Sequence, residues 1–287
     1  MKKNKIKKVK PINLDPPKTR REIFLDLIKT QKRQMVSLSM LFFMFLLPLV
    51  VDILIFGIFI SNIPFETENY SSIVFSFIFY MMIIAIPCSM VAFLGLSGLA
   101  QVCKHIAWRD GVLEGPEFFV GIKNNFKHAL VFGFIWGVSL FLLVIGSLFL
   151  YRTHVSSELP WVHYVGIGLC IVQFIVLSIV SMHAINYDCY YSNTFREVFK
   201  NSFIFFVARF FKNLVLFIFT IGLVVGLCFV AFIAQIVMIL VIAFLSSYMM
   251  IAWTLLSHDA FDQYINATNY PEYYRKGLYT PTEVEEK

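Results

Sequence analysis

The chain has 287 residues, of which 59% are hydrophobic and 15% charged, with a formal net charge of +6 and a mean hydropathy of +0.74. A soluble domain carries about a quarter charged residues, so this composition excludes a water-facing globular protein. In hydrocarbon the backbone must satisfy its own hydrogen bonds, which leaves helices or closed barrels. Because the apolar residues form continuous runs rather than alternating with polar ones, the sequence predicts an all-α membrane protein.

The first predicted element in chain order is a basic disordered tail at 1–18, in which several prolines oppose a long helix. A six-span membrane domain at 19–257 and a tail at 258–287 follow. The apolar runs lie at 37–60, 72–100, 128–151, 161–184, 213–231 and 234–257. Each run approaches or exceeds the roughly 20 residues that a spanning helix needs. The last two runs form one apolar block, and its length alone predicts a hairpin near 231–235.

The basic residues fall almost entirely on one side of these spans. With both chain ends on the same side, 23 of the 24 lysines and arginines lie there and Arg152 lies opposite. Basic loops stay in the cytoplasm, so we expect a multi-pass protein of the bacterial plasma membrane with both termini cytoplasmic. Its partners are then the lipid bilayer and the anionic inner leaflet, and the positive charge requires no nucleic acid.

Each predicted pair of spans follows an amphipathic helix at the cytoplasmic interface. The first helix begins at Thr19, with Glu22 three residues later in a capping-box pattern. The second begins near 115–116 and the third at Thr194. The fold class is therefore predicted to be three helical hairpins, each preceded by an amphipathic interface helix.

The second and third amphipathic segments also align with each other. The aligned residues are Phe118, Lys123, Asn124 and Phe126 in the second segment, and Phe195, Lys200, Asn201 and Phe203 in the third. The pattern favours phenylalanines facing the membrane and lysines at the rim. The match is explained either by internal duplication or by the general similarity of Phe-rich, Lys-flanked helices.

Asp52 is the one acidic residue within a predicted span. Intramembrane carboxylates usually face a bundle interior or a cavity, so Asp52 is the candidate functional residue, for a proton or ion relay or a substrate contact. The structural alternative is a neutral Asp52, or one paired with Arg152. In the second span, Pro87 predicts a kink, and Gly95 and Gly98 predict a close approach of another helix.

Two sequence patterns suggest a protease site or a metal site. Gly95-Leu96-Ser97-Gly98 resembles the GxSG motif of rhomboid intramembrane proteases, although Gly and Ser are also common in spans by chance. His258, Asp259 and Asp262 lie close together, with the first and last on one helical face at i and i+4, which is compatible with a metal site or with a solvated tail. Neither pattern is complete, so the sequence assigns no catalytic residue, metal ligand or cofactor.

A longer stretch carries a family resemblance. It runs from Pro87 through Gly95-Leu-Ser-Gly98 and a charged turn around Arg109, and ends in the Phe118-to-Ala129 helix with its Lys-Asn-Asn-Phe-Lys core. It resembles the YesL-like family of bacterial integral membrane proteins. The resemblance implies a plasma-membrane protein of unsettled activity, often encoded near carbohydrate-uptake genes. It implies no catalytic residue.

These observations predict a non-enzymatic accessory or scaffold component linked to solute uptake, with other membrane transport subunits as partners. The alternative is a transporter or channel in its own right that uses Asp52. A membrane-embedded enzyme ranks third, because the motifs above lack a complete catalytic set.

Overall fold

The computed structural model describes residues 17, 19–62, 70–111, 113–154, 160–191, 193–228 and 232–278, and within them it contains no strand. The helices are α1 (Arg20–Thr30), α2 (Lys32–Asn62), α3 (Tyr70–Trp108), α4 (Glu114–Phe141), α5 (Ser147–His154), α6 (Pro160–Tyr190), α7 (Phe195–Ala208), α8 (Phe210–Phe217), α9 (Leu223–Cys228), α10 (Phe232–Phe261) and α11 (Ala267–Asn269). Single π-helical turns join α4 to α5, α8 to α9 and α10 to α11.

Six helical segments in the described residues are long and apolar enough to cross a membrane. They run Lys32–Phe59, Tyr70–Trp108, Glu114–Thr153, Trp161–Tyr190, Phe210–Leu227 and Gln235–Asn269. The predicted six-span, all-α membrane fold is therefore confirmed. The predicted basic tail at 1–18 lies almost wholly outside the described residues.

The last span differs in length from the predicted one. Helix α10 already begins at Phe232, within the predicted 231–235 hairpin, and residues 229–231 lie outside the described part. At its other end the helix passes the predicted boundary at 257 and continues through a π-helical turn to Asn269. His258 and Asp262 are therefore helical.

Helices α3 and α4 make the most extensive helix–helix contact, because glycines on α4 let the two backbones approach closely. A Cβ added to Gly133 would lie 2.7 Å from Met90 Cα, and one added to Gly137 would lie 2.3 Å from Ser89 Oγ. Ser89 Oγ also donates a 2.8 Å hydrogen bond to the Gly133 carbonyl. The contact therefore combines close packing with a polar bond between helices.

The amphipathic segments join their spans in different ways. Helix α1 is separate from α2, and Thr19 caps it by accepting a 3.3 Å bond from the Glu22 amide. The second segment is continuous with its span as the first turns of α4. Helix α7 has the complete capping box at Thr194 and ends at Arg209, where a new helix begins. The cap predicted at Thr19 is present, and Thr194, predicted as the start of the third segment, is also a cap.

Candidate functional site

Four segments that are distant in sequence meet at one end of the bundle, which we call the basic end: α1, the turn at 109–111, α7 and the segment 262–278. Arg20 of α1 forms a 2.8 Å ion pair with Asp262, and their side chains are only 9% and 11% exposed. Arg109 pairs with Asp26 of α1 at 2.7 Å. Lys276 lies 3.5 Å from Asp110. These pairs fix the turn and the C-terminal segment against α1.

Asp262 is the most heavily bonded carboxylate at the basic end. One carboxylate oxygen accepts from Arg20, and the other accepts from Asn266 Nδ2 at 2.8 Å and from the Arg275 amide at 3.2 Å. The Arg20 guanidinium also donates to the Lys276 carbonyl at 2.8 Å. A charge this buried is tolerated because donors surround it. Asp262 thus joins the first helix, the last helix and the C-terminal segment.

Trp108, at the end of α3, is covered by the C-terminal segment. Its Nε1 donates a 2.9 Å hydrogen bond to His258 Nε2. The Lys276 ammonium lies 3.8 Å from the centre of its ring, and the Tyr273 ring centre is 5.3 Å away. Gly277 follows at φ +86°, where an added Cβ would lie 2.4 Å from the Ala107 carbonyl oxygen. Only glycine fits that position without moving the segment off α3.

Tyr191 continues this packing between α6 and the C-terminal segment. Its hydroxyl donates to Asn266 Oδ1, and its ring centre lies 4.9 Å from that of Tyr270. Burial raises the pKa of the Tyr191 phenol. The hydroxyl therefore stays protonated near neutral pH and remains a donor to Asn266.

An open cavity of about 730 Å³ lies between α1, α10 and the C-terminal segment. Four arginines and two aspartates form its charged lining, Thr19, Gln263 and Tyr274 add uncharged polar groups, and its apolar lining comes from α1, α10 and Leu278. The polar charged residues are Arg20, Arg21, Arg209, Arg275, Asp259 and Asp262. Arg209 pairs with Asp259 and donates to Gln263 at 2.8 Å.

A fully buried polar network joins α6, α8 and α10. His183 Nδ1 lies 2.9 Å from Ser257 Oγ, and its Nε2 lies 2.9 Å from Asn213 Oδ1. The Asn213 amide donates to the Phe205 carbonyl at 3.0 Å, which orients its oxygen towards the ring. The bonding order Ser–His–Asn resembles a hydrolase triad. However, all three side chains are 0% exposed, so the arrangement holds three helices together without giving a substrate access.

Asp52 is 5% exposed within α2, in agreement with the expectation of a buried intramembrane carboxylate. No hydrogen bond or ion pair links it to another residue in the described ranges. Arg152, the partner considered from the sequence, instead lies 5.0 Å from the Phe75 ring centre. Asp52 lines neither of the two cavities described here.

The residues that the sequence suggested for a protease or a metal site are not placed together as such a site. Ser97 Oγ donates to the Leu94 carbonyl at 2.8 Å rather than to a histidine. His258 Nδ1 is 3.7 Å from Asp262, which is already bound to Arg20. No group of three His, Cys, Asp or Glu residues in the described ranges is placed to hold a metal ion.

The predicted motif of the second span is placed at helix contacts. A Cβ at Gly95 would lie 2.5 Å from Phe45 Cβ of α2, and one at Gly98 would lie 2.7 Å from the Phe118 carbonyl of α4. The close approach predicted for both glycines is thus present. Phe118 is 0% exposed between these helices, and α3 continues through Pro87.

The aligned Lys-Asn-Phe residues occupy unlike surroundings. Lys123, Asn124 and Phe126 line a second open cavity of about 580 Å³ together with Lys127 and His128. In α7, Asn201 instead donates to the Tyr187 hydroxyl at 2.9 Å, while Lys200 and Phe203 are exposed. Phe126 is 47% exposed, whereas Phe118 is buried, so α4 packs through its Phe118–Asn125 face rather than through Phe126.

Sequence reasoning missed the α4 packing seam. Small or short residues recur every four positions along α4 and all face neighbouring helices. They are Gly121, Asn125, Ala129, Gly133 and Gly137. This small-xxx-small spacing is a known signal of close helix packing and was visible in the sequence. The Arg20–Asp262 pair had no such signal, since the partners are 242 residues apart.

No family model, curated protein or solved structure matches the chain.

Proposed function

We propose that the chain is a non-enzymatic accessory or scaffold component of the bacterial plasma membrane, linked to solute uptake, as its resemblance to YesL-like proteins implies. The observation that carries this proposal is the basic end, where ion pairs and stacked rings hold four distant segments in one arrangement. A surface ordered before binding loses less conformational entropy on association, which suits a docking role. Carbohydrate is the solute class that the resemblance favours.

The proposal also includes the orientation of the protein in the membrane. In the described ranges Arg152 is the one lysine or arginine at the end of the bundle opposite to the basic end. The positive-inside rule then favours a cytoplasmic basic end, with both termini on that side. Other membrane transport subunits would meet the protein there or along its lipid-facing helices.

Two exposed apolar residues at the basic end give the proposal a sharp test. Leu25 of α1 is 44% exposed and Leu113 is 77% exposed, and both lie outside the six spans. The full chain is purified from its native membrane in mild detergent and its stoichiometric partners are identified. The double variant Leu25→Glu/Leu113→Glu should lose a partner that the wild-type chain retains, because a charge opposes burial of both contacts.

The matched control is Gln31→Glu, which adds a charge at an exposed position beside the same helix. It should retain the partner. If the wild-type chain purifies without any stoichiometric membrane partner, the scaffold proposal is contradicted. If the double variant retains the partner, the partner does not dock at the basic end.

A second candidate function is transport by the chain itself, favoured by Asp52, which is buried and has no hydrogen bond or ion pair with any residue that the structure describes. A charge at that depth is costly unless a pathway or a bound cation compensates it. The test is solute flux into proteoliposomes with wild type and Asp52→Asn, which keeps the side-chain shape. Flux that Asp52→Asn abolishes would support transport, and equal flux in both proteins would contradict a role for Asp52.

A further inference from the structure

Three polar atoms beside the basic end are buried and form no hydrogen bond with any residue that the structure describes. They come from three helices: Arg20 Nε from α1, Tyr190 Oη from α6 and His258 Nδ1 from α10. The three residues are only 9%, 6% and 0% exposed. A buried polar group without a partner costs its full desolvation free energy, and native structures contain few of them. Three such atoms in one place therefore indicate a ligand that bonds to them.

The three side chains lie around the Asp262 carboxylate. Asp262 Oδ2 accepts the 2.8 Å hydrogen bond from Arg20 Nη2, and the same oxygen lies 3.7 Å from His258 Nδ1. The Tyr190 ring centre is 5.1 Å from that of the His258 ring. The Arg20 guanidinium is also close enough to both rings to act on them electrostatically. One small ligand between α1, α6 and α10 can therefore reach all three atoms.

The hydrogen bond from Trp108 determines which proton His258 carries. Indole Nε1 is a donor only, and it donates a 2.9 Å bond to His258 Nε2. Nε2 is therefore the acceptor nitrogen of a neutral imidazole, and the proton lies on Nδ1. The 3.7 Å between Nδ1 and Asp262 Oδ2 is too long for a direct hydrogen bond, and it is a separation that a water can bridge.

The local charge favours a neutral ligand. The charges of Arg20 and Asp262 cancel in their ion pair, and the His258 ring is neutral. A halide ion would accept hydrogen bonds from the donors, but it would lie beside the negative Asp262 oxygen, which repels it.

The number of available groups matches one water molecule. A water accepts two hydrogen bonds and donates two, and buried waters bond to polar groups that are otherwise unsatisfied. The two donors that need an acceptor are Arg20 Nε and His258 Nδ1. The two oxygens that can accept are those of the Asp262 carboxylate and the Tyr190 hydroxyl.

We propose that a single structural water is bound between α1, α6 and α10. It accepts from Arg20 Nε and His258 Nδ1 and donates to Asp262 and the Tyr190 hydroxyl. The water adds α6 to the direct Arg20–Asp262 connection between the first helix and the last span. This site is separate from the open cavity, whose lining includes neither Tyr190 nor His258, and it does not depend on the scaffold proposal.

The test is solid-state NMR of the wild-type, full-length protein in liposomes, with ¹⁵N-labelled histidine. It measures how fast proton magnetisation passes from water to each ring N–H group. His183 is the matched control within the same protein. It is also 0% exposed, but both of its ring nitrogens lie 2.9 Å from protein groups, on Ser257 and Asn213. Transfer to His258 Nδ1–H should be several times faster than transfer to His183, and His258→Gln and His183→Gln identify the two signals by their loss.

Three results would overturn the proposal. Equally slow transfer to the two histidines would show that no water bonds to His258. A proton on Nε2 of His258 rather than on Nδ1, read from the ¹⁵N shifts, would remove one of the two donors. A change in the His258 Nδ1 shift when chloride in the buffer is replaced by bromide would identify a halide as the ligand. The comparison is made on the wild-type chain, so a folding defect in a variant cannot produce any of these results.

Discussion

The buried Arg20–Asp262 ion pair gives the most direct prediction about how the basic end is held together. Arg20→Met keeps an unbranched, largely apolar stem but removes the guanidinium and its charge, which leaves Asp262 bonded to Asn266 and the Arg275 amide. Both partners are about nine-tenths buried, so breaking the pair should cost about 3 kcal/mol. The lost free energy should weaken the packing of α1 against the C-terminal segment.

Amide hydrogen exchange of the purified protein measures this local opening. At 1.4 kcal/mol per factor of ten, exchange in α1 and in 270–278 should accelerate up to roughly 100-fold in Arg20→Met. Arg21→Met is the matched control, because Arg21 is exposed and has no ion pair in the described ranges. Equal exchange in the two variants would refute the reasoning, since the buried pair would then contribute no more than an exposed arginine.

Three further predictions concern the spans and α7. Gly137→Ala should lower the free energy of unfolding by about 1–3 kcal/mol, because the added Cβ would clash with α3. Gly168→Ala is the control and should leave that free energy unchanged, because the space around Gly168 is open. Denaturant unfolding in detergent measures both variants. Ser257→Ala should cost about 1–3 kcal/mol by the same assay, since it leaves a buried histidine nitrogen unbonded, and a fluorophosphonate probe should not label the wild-type serine. Hydrogen bonds from Thr194 lower the pKa of Glu197 below its ordinary value of 4.5. The stability that its charge gives α7 is therefore present above pH 4.5 and lost as the pH falls through the lower pKa. The protection factor of the amides at the start of α7, which is the exchange rate of an unstructured peptide divided by the measured rate at the same pH, should therefore fall only in acid, and Glu197→Ala should remove that fall.

The spans and the helix starts were predictable because their causes are local. Continuous apolar runs indicate membrane spans directly, and a threonine three residues before a glutamate predicts a capped helix, as at Thr19 and Thr194. Gly95 and Gly98 were recognised as close-contact positions for the same reason. The seam through Gly133 and Gly137 follows an equally local rule.

The contacts of the basic end were not predictable from the sequence. His258 and Asp262 share a helix face, which the sequence revealed, but the partner of Asp262 is Arg20 at the other end of the chain. Such a pair depends on how the helices assemble, and one sequence contains no local signal of that assembly. The burial of Asp52 was expected from the sequence. That its carboxylate has no partner among the described residues could be seen only from the packing of the helices.

We propose that the two terminal segments of this six-span protein meet on the cytoplasmic side. Single cysteines at Lys29, Tyr274 and Asn62, in a background with the native cysteines replaced, test it through labelling with a membrane-impermeant maleimide. All three positions are exposed. The cysteine at 62 should react in intact cells, and those at 29 and 274 should react only after permeabilisation. Labelling of position 274 but not of position 29 in intact cells would contradict the claim, since the chain would then cross the membrane an odd number of times.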